Sequence, residues 1–274
     1  MVAKITLFQL FFVSLLKILT IMIYYIEHTT STNDEIRNPK YGHMDVVWAE
    51  YQSAGRGQRG HSWHSTEGQN ITFSLLLTPT FLPVTEQFLL SEIVALSLVR
   101  TLAEYGIECR IKWTNDIYAK DNKIVGILIE HALAGDCLAR TIVGIGLNVN
   151  QESFPSDLPN PTSMFVERGV KFDRREVLER IVAHLEKLYR ELEAGNKEMI
   201  ERLYVDTMYH LGEPHTYAYP NGERFTATIR GVRHSGELCL EHEDGVVREY
   251  AFKEVEFTLK NKLSSCYTTS QEKK

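Results

Sequence analysis

The chain has 274 residues, 43% hydrophobic and 24% charged, which suits one large domain or a domain with a small module. Lys plus Arg is 30 against 36 Asp plus Glu, a formal net charge of −6; this excludes a basic nucleic-acid coat and requires any anion site to be a local cluster of cations. Cys109, Cys137, Cys239 and Cys266 are scattered, with no CxxC pair and no Cys/His cluster at zinc spacing, a pattern of reduced thiols in a cytoplasmic protein rather than of a structural metal.

Met1 to Ile26 is strongly apolar, interrupted by Gln9, Ser14 and Lys17. Against a secretory signal, no small-x-small site follows, only Glu27-His28-Thr29-Thr30. Against a span, Lys17 stands near its middle, where a charge is expensive. The favoured reading starts the folded chain at Met22 and makes residues 1–21 upstream sequence, with no membrane association expected; an anchor is the alternative.

Ile23 to Glu27 reads as a short strand, and Ser31-Thr32-Asn33-Asp34-Glu35 as a helix start in which Thr32 and Glu35 fit the capping-box pattern. Asp45–Tyr51 is strand-like, Ser53–His64 a glycine-rich loop, Asn70–Leu77 a buried strand, and Val84–Tyr105 a core helix. Arg110–Trp113, Lys123–Ala132 and Leu138–Asn148 read as strands, and Gln151–Pro161 as a loop. Asp173–Glu193 is the clearest amphipathic helix, with Val177, Leu178, Ile181, Val182, Leu185, Leu188, Tyr189 and Leu192 at helical spacing and Asp173 as its cap. From Leu211-Gly212 onward, turn dipeptides at Asn221-Gly222, Ser235-Gly236 and Asp244-Gly245 predict a small antiparallel β-barrel. The expected organisation is a leader at 1–21, a main domain at 22–212, a barrel at 213–262 and a polar tail at 263–274.

Three segments carry candidate chemistry. In Gly55-Arg56-Gly57-Gln58-Arg59-Gly60 the glycines let backbone N–H groups approach a ligand, the arginines can grip an anion, and Trp63 follows with a flat face. Short GxG patterns are weakly specific, and a solvated turn is the plainer reading of that loop alone. In Lys112-Trp113-Thr114-Asn115-Asp116, followed by the strand opened by Lys123, two lysines can converge on one anion and Asp116 could ligate Mg²⁺; a turn and a surface hairpin account for the same residues. Along Val143–Asn148, Gly144, Gly146 and Asn148 share one face of a strand, and Gly126 adds another glycine; they predict close approach of a ligand, or of a packed backbone.

Together these segments, with Ser31-Thr32-Asn33, resemble the biotin protein ligase family in order and approximate spacing over about residues 22–260. The resemblance implies an α+β catalytic domain, a mixed β-sheet flanked by helices of the class II synthetase type, with a small C-terminal SH3-like β-barrel. It implies activation of biotin by ATP as an adenylate and transfer to one lysine of a biotin carboxyl carrier protein, such as that of acetyl-CoA carboxylase. Biotin is expected on Ser31, Thr32, Asn33, Gln52, Gly55, Arg56, Lys123, Gly126 and Gly144. The nucleotide is expected on Arg59, Trp63, Asn115 and Asn148, Mg²⁺ on Asp116, and charge neutralisation from Lys123, Arg56 and Lys112.

Two departures stand out: Gln58 where the family often has arginine, which puts retention of the adenylate in doubt, and Thr114 where it often has proline. Only about 22 residues precede the catalytic segment, too few for the helix-turn-helix repressor module of some relatives, so no nucleic-acid partner is expected. A homodimer through a sheet edge is compatible with the resemblance. The competing readings are a lipoate–protein ligase, a ligand-binding protein without catalysis, and a membrane-tethered enzyme.

Overall fold

The computed structural model describes residues 21–58 and 62–258. The expectations for the leader, for Arg59, Gly60 and His61, and for the polar tail lie outside the described residues. The fold divides the chain into two units, between Tyr209 and His210.

The first unit contains β1 (Ile23–Thr29), α1 (Thr32–Glu35), β2 (Val46–Gln52), β3 (Ile71–Leu77), α2 (Phe88–Glu104), β4 (Cys109–Lys112), β5 (Asp116–Ala119), β6 (Asn122–Ala134), β7 (Cys137–Leu147), α3 (Met164–Arg168), α4 (Arg174–Glu193) and α5 (Lys197–Asp206). Its seven strands run in the order β1-β2-β3-β7-β6-β5-β4. The β1–β2 pair is parallel and the other five are antiparallel, giving a mixed sheet flanked by helices. β3 is buried at every position, so the sheet centre is covered on both faces.

One cover is α2, which is apolar almost all round and packs on α4, α5, β4 and β5. Its two inner hydroxyls are satisfied within the helix: Ser97 donates to the Val94 carbonyl at 2.7 Å and Thr101 to the Ser97 carbonyl at 2.9 Å. All eight apolar residues expected on the inner face of α4 are buried. Asp173 caps that helix, accepting from the Arg175 and Glu176 N–H groups at 2.8 and 3.1 Å. On the opposite face, Ile36 and Tyr41 pack with Val47, Leu76 and Ile142 over the β1–β3 end of the sheet.

Some elements differ from the sequence reading. The apolar run 84–105 opens as a 3₁₀ turn, Val84–Glu86, after Pro83, and the α-helix begins at Phe88. β5, α3 and α5 were not expected: β5 and α3 have only four and five residues, too few to show a period, and α5 buries only Ile200 and Tyr204. The capping box at Thr32 is corrected. Ser31, not Thr32, is the N-cap of α1, and it makes no side-chain cap bond; the Thr32 hydroxyl donates to Gln52.

The second unit is an antiparallel sheet of β8 (Pro214–Ala218), β9 (Arg224–Val232), β10 (Leu238–His242), β11 (Val247–Tyr250) and β12 (Glu256–Phe257), in the order β11-β10-β9-β8-β12. The three turn dipeptides close hairpin turns, with Gly222, Gly236 and Gly245 donating back to Tyr219, Arg233 and His242 at 2.8, 2.8 and 2.9 Å. Tyr217, Ile229, Leu238 and Leu240 form its interior. Among the described residues no ladder joins the edge strands β11 and β12, so the pairing is that of an open sheet. No helix among the described residues is long and apolar enough to cross a membrane.

One buried group makes a pH prediction. Glu92 of α2 is 3% exposed with Oε2 unpartnered. Burial, with Glu201 adding to it, pushes its carboxyl up to about 8. An unfolded glutamate titrates near about 4.3. Between those values the folded state holds a proton that the unfolded state has released, so this group's contribution to stability falls as pH rises and levels off above the folded value. Glu92→Gln is therefore expected to match the wild type near pH 4.5 and to exceed it by on the order of 2 kcal/mol at pH 8, read by urea unfolding. Parallel stability curves would remove the buried-acid assignment.

Candidate active site

Directly paired residues in a sheet point to the same face. One such row crosses the whole sheet: Ile26, Ala49, Thr72, Gly146, Gly126, Asp116 and Lys112. The next row is Tyr24, Val47, Ser74, Gly144 and Leu128. The apolar ends of both rows lie in or next to the cluster around Ile36, whereas the glycine end leads to the charged residues. The separate lysine, glycine and aspartate signals of the sequence are thus one surface.

Lys123 stands three residues before Gly126, and strict alternation would send the two to opposite faces. A bulge changes this: neighbours Ile117 and Tyr118 on β5 pair with Val125 and Lys123 on β6, so Ile124 is an extra residue. The Lys123 side chain consequently runs beside Gly126, with Cε 3.3 Å from where a Cβ on that glycine would stand. Its Nζ meets Asp116 Oδ1 at 2.7 Å, with the two side chains 33% and 20% exposed. The backbone of Lys123 is held from both sides, its N–H donating to Asn160 O at 2.7 Å and its carbonyl accepting from Thr162 N at 2.9 Å.

The glycine-rich loop leaves at Gly55 and returns at Trp63, whose N–H donates to the Gly55 carbonyl at 3.0 Å. The Trp63 indole rests on the glycine floor. A Cβ on Gly126 would stand 2.8 Å from Cζ3, and one on Gly146 would overlap the indole at Cε2 and Nε1. Lys123 Nζ is 5.8 Å from the ring centroid, within cation–π range. The indole Nε1–H is buried without a hydrogen-bond partner. A cavity of about 220 Å³ lies alongside, lined by Gln52, Gly55, Trp63, His64 and Gln151 among others.

Next to the indole, a polar chain crosses the floor. The Thr32 N–H and hydroxyl both donate to Gln52 Oε1, at 2.7 and 3.1 Å. The Ser74 hydroxyl bridges Thr32 Oγ1 at 2.8 Å and Asn33 Oδ1 at 2.5 Å. Asn33 lies directly over Gly144, where any Cβ would collide with its amide, and donates to Glu130 Oε2 at 2.7 Å. Ser31, Thr32 and Asn33 are each 3% exposed.

The remaining candidates are located as follows. Asn115 donates to the Ile127 carbonyl and accepts from the Thr114 hydroxyl at 2.9 Å, which locks the turn between β4 and β5 onto β6. The Trp113–Thr114 peptide is cis, and the Thr114 carbonyl accepts from the buried Tyr204 phenol at 3.3 Å. Asn148 donates from Nδ2 to Thr162 O at 2.9 Å. Lys112 Nζ lies over the Tyr118 ring, 5.3 Å from its centroid. Arg56 is held by Asp34 and Glu130 rather than directed at the floor.

Sequence reasoning missed Ser74, Glu130, Asp34 and Tyr204. Ser74 had a signal, being the one hydroxyl among the later residues of an apolar strand, Phe73-Ser74-Leu75-Leu76-Leu77. Among the described residues no group of three or more His, Cys, Asp or Glu could hold a metal. Asp116 offers one carboxylate beside Lys123 and Gly126, a donor set that fits a Mg²⁺ completing its shell with phosphate and water rather than an all-protein cage.

A bare glycine floor bordered by a lysine–carboxylate pair and roofed by an indole is the build of a domain that holds a flat small molecule next to an anionic group. Residues 22–148 match the Biotin/lipoate A/B protein ligase family. The chain is 34% identical over 230 residues to a Bifunctional ligase/repressor BirA of Bacillus spizizenii, covering 82% of this chain and 70% of that protein. It is 28% identical over 225 residues to a Biotin–[acetyl-CoA-carboxylase] ligase of Mycobacterium tuberculosis, covering 79% and 82% of the two. Its fold is similar to that of the biotin protein ligase of Aquifex aeolicus in complex with biotin and ATP, with a TM-score of 0.75, 26% identity, and coverage of 87% of this chain and 99% of that one. The chain belongs to the biotin/lipoate A/B protein ligase family.

The indole–glycine contact is directly testable. Gly146→Ala is expected to push Trp63 off the floor and shift tryptophan emission to the red, with the shift absent in a Trp63→Phe background. An unchanged spectrum would show that the indole does not rest on Gly146.

Proposed function

We infer that the protein is a biotin protein ligase. It condenses biotin with ATP to biotinyl-5′-AMP and pyrophosphate, then transfers the biotinyl group to a lysine of a carboxyl carrier domain, the kind of acceptor found in acetyl-CoA carboxylase. The observation that carries this reading is the Lys123–Asp116 pair set by a bulge beside the Gly126–Gly146 floor, with Lys112 on the same row.

In this reading Ser31, Thr32, Asn33 and Gln52 supply donors and acceptors for the ureido ring of biotin, and Gly55, Gly126 and Gly144 leave room for Trp63 and Asn33, the side chains that border the ligand. Lys123 meets the biotin carboxylate and the α-phosphate. Trp63 gives the adenine a ring surface, and Asn115, Asn148 and Arg59 complete the nucleotide side. Asp116 would hold Mg²⁺ together with phosphate oxygens, and that ion would neutralise phosphate charge. In the first step a carboxylate oxygen attacks the α-phosphorus and the bond to pyrophosphate breaks. In the second, the acceptor amine attacks the acyl carbon, AMP leaves with the bonding electrons, and the amine loses a proton. Neither step needs an activated side-chain nucleophile. The protein contributes position and positive charge from Lys123 and Lys112, and the loop keeps water from the mixed anhydride.

ATP-dependent biotinylation of a carrier domain, with lipoate as competitor, tests the reading; transfer of lipoate in preference to biotin would overturn it. Lys123→Ala is expected to lower biotin-dependent pyrophosphate release at least about 100-fold, the loss of one buried charge contact to the transition state. The lysine is a third exposed and paired with Asp116 rather than solvent-facing, so its removal is expected to cost up to about 1 kcal/mol in urea unfolding. Gln58→Arg is expected to slow escape of the adenylate, followed with radiolabelled ATP; an unchanged escape rate would mean that position 58 does not retain it.

A further inference from the structure

The loop arginine nearest the floor faces two carboxylates. Arg56 Nη2 lies 2.8 Å from Asp34 Oδ1 and 3.2 Å from Glu130 Oε2, and Nη1 lies 3.4 Å from Glu130 Oε1. Arg37 completes the group, 3.0 Å from Glu130 Oε1 and 3.7 Å from Asp34 Oδ1. Two cations and two anions balance there, so the Arg56 charge is already neutralised inside the protein. Glu130 is the hub of this group. It is 27% exposed against 40% for Arg56 and 51% for Asp34, and the oxygen that meets Arg56 Nη2 also accepts from Asn33 at 2.7 Å. Its place in the sheet explains this: two residues along β6 from Leu128, it shares the floor's face and pairs with Ile142, one step beyond the Leu128–Gly144 row.

We propose that Glu130 is a positioning residue that fastens the glycine-rich loop to the biotin pocket, by holding Arg56 at the loop's start and Asn33 in the pocket with the same carboxylate. Arg56 acts as the loop's anchor and is not the counter-ion of the phosphate, the role expected of it from sequence. In the ligase reading, on which the second of two assays rests, the fastening sets how long the loop keeps the activated biotin.

The first assay needs no ligand. Trypsin must take an arginine side chain into its own pocket, so an Arg56 clamped by two carboxylates resists cleavage of the Arg56–Gly57 bond. Glu130→Gln, which keeps the shape and removes the charge, is expected to speed that cut at least about fivefold at an unchanged urea midpoint, and Glu130→Asp is expected to restore part of the resistance. Fragment masses distinguish this cut from the one after Arg59. An unchanged cutting rate would overturn the fastening.

The second assay follows release of biotinyl-5′-AMP. Glu130→Gln is expected to speed release about tenfold and leave adenylate formation at saturating substrate within about twofold; Arg56→Gln is expected to speed release by the same factor, and the double variant to release no faster than either single one. Multiplying effects would show that the two residues act apart. A collapse of formation in Arg56→Gln alone would put Arg56 on the phosphate. If the wild-type protein forms no adenylate, the ligase reading fails, while the trypsin assay still decides whether Glu130 holds the loop.

Discussion

One extra residue in β6 decides where Lys123 points, and the site depends on it. Without Ile124 as a bulge, alternation would place Lys123 on the opposite face of the sheet, away from Asp116. With the bulge, the lysine lies beside Gly126 and meets Asp116, which β5 delivers on the same row. The pair then stands at the edge of a floor that the glycines keep low enough for an indole to lie flat. Position, charge and space at this site all follow from sheet register.

The sheet separates its two tasks by face. Fully buried β3 and the inner half of β7 tie the faces together, while α2 and α4 supply apolar cover on one side only. The other face is divided along its rows: the β1–β3 end is closed by Ile36 and Tyr41, and the β7–β4 end carries glycines, Asp116 and Lys112. Burial at one end of a row therefore stabilises the strands that hold the polar end in register.

Sequence carried the long, strongly periodic parts of this arrangement. The α4 helix was legible from its eight apolar positions, and the lysine, aspartate and glycine segments were legible as chemistry because their residue types are unusual in strands. Short elements were not, since β5 is four residues long and shows too little alternation to identify. The bulge was not legible either, because a single extra residue leaves no compositional mark. Thr32 was misread as a cap because S/T-x-x-E describes local geometry, and a tertiary partner, Gln52, took its hydroxyl. For Arg56 the cationic character was visible in the sequence, while its partners Asp34 and Glu130, distant in sequence from it, were not.

The polar chain from Gln52 through Thr32, Ser74, Asn33 and Glu130 to Arg56 has a gradient of burial. Ser74 is fully buried, Thr32 and Asn33 nearly so, Glu130 is about a quarter exposed, and Arg56 is 40% exposed. Buried hydrogen bonds in low dielectric are costly to break, whereas exposed ion pairs are worth little and are screened by salt. The Arg56 end is therefore the weaker one, and its contacts contribute little to the buried hydrogen bonds between Gln52 and Asn33. Glu130 stands where the gradient is steepest, with one oxygen shared between the rigid part and the releasable part. A pocket built in this way keeps the shape of its floor whether or not the Arg56 contacts are made, because the hydrogen bonds from Gln52 to Asn33 do not depend on them.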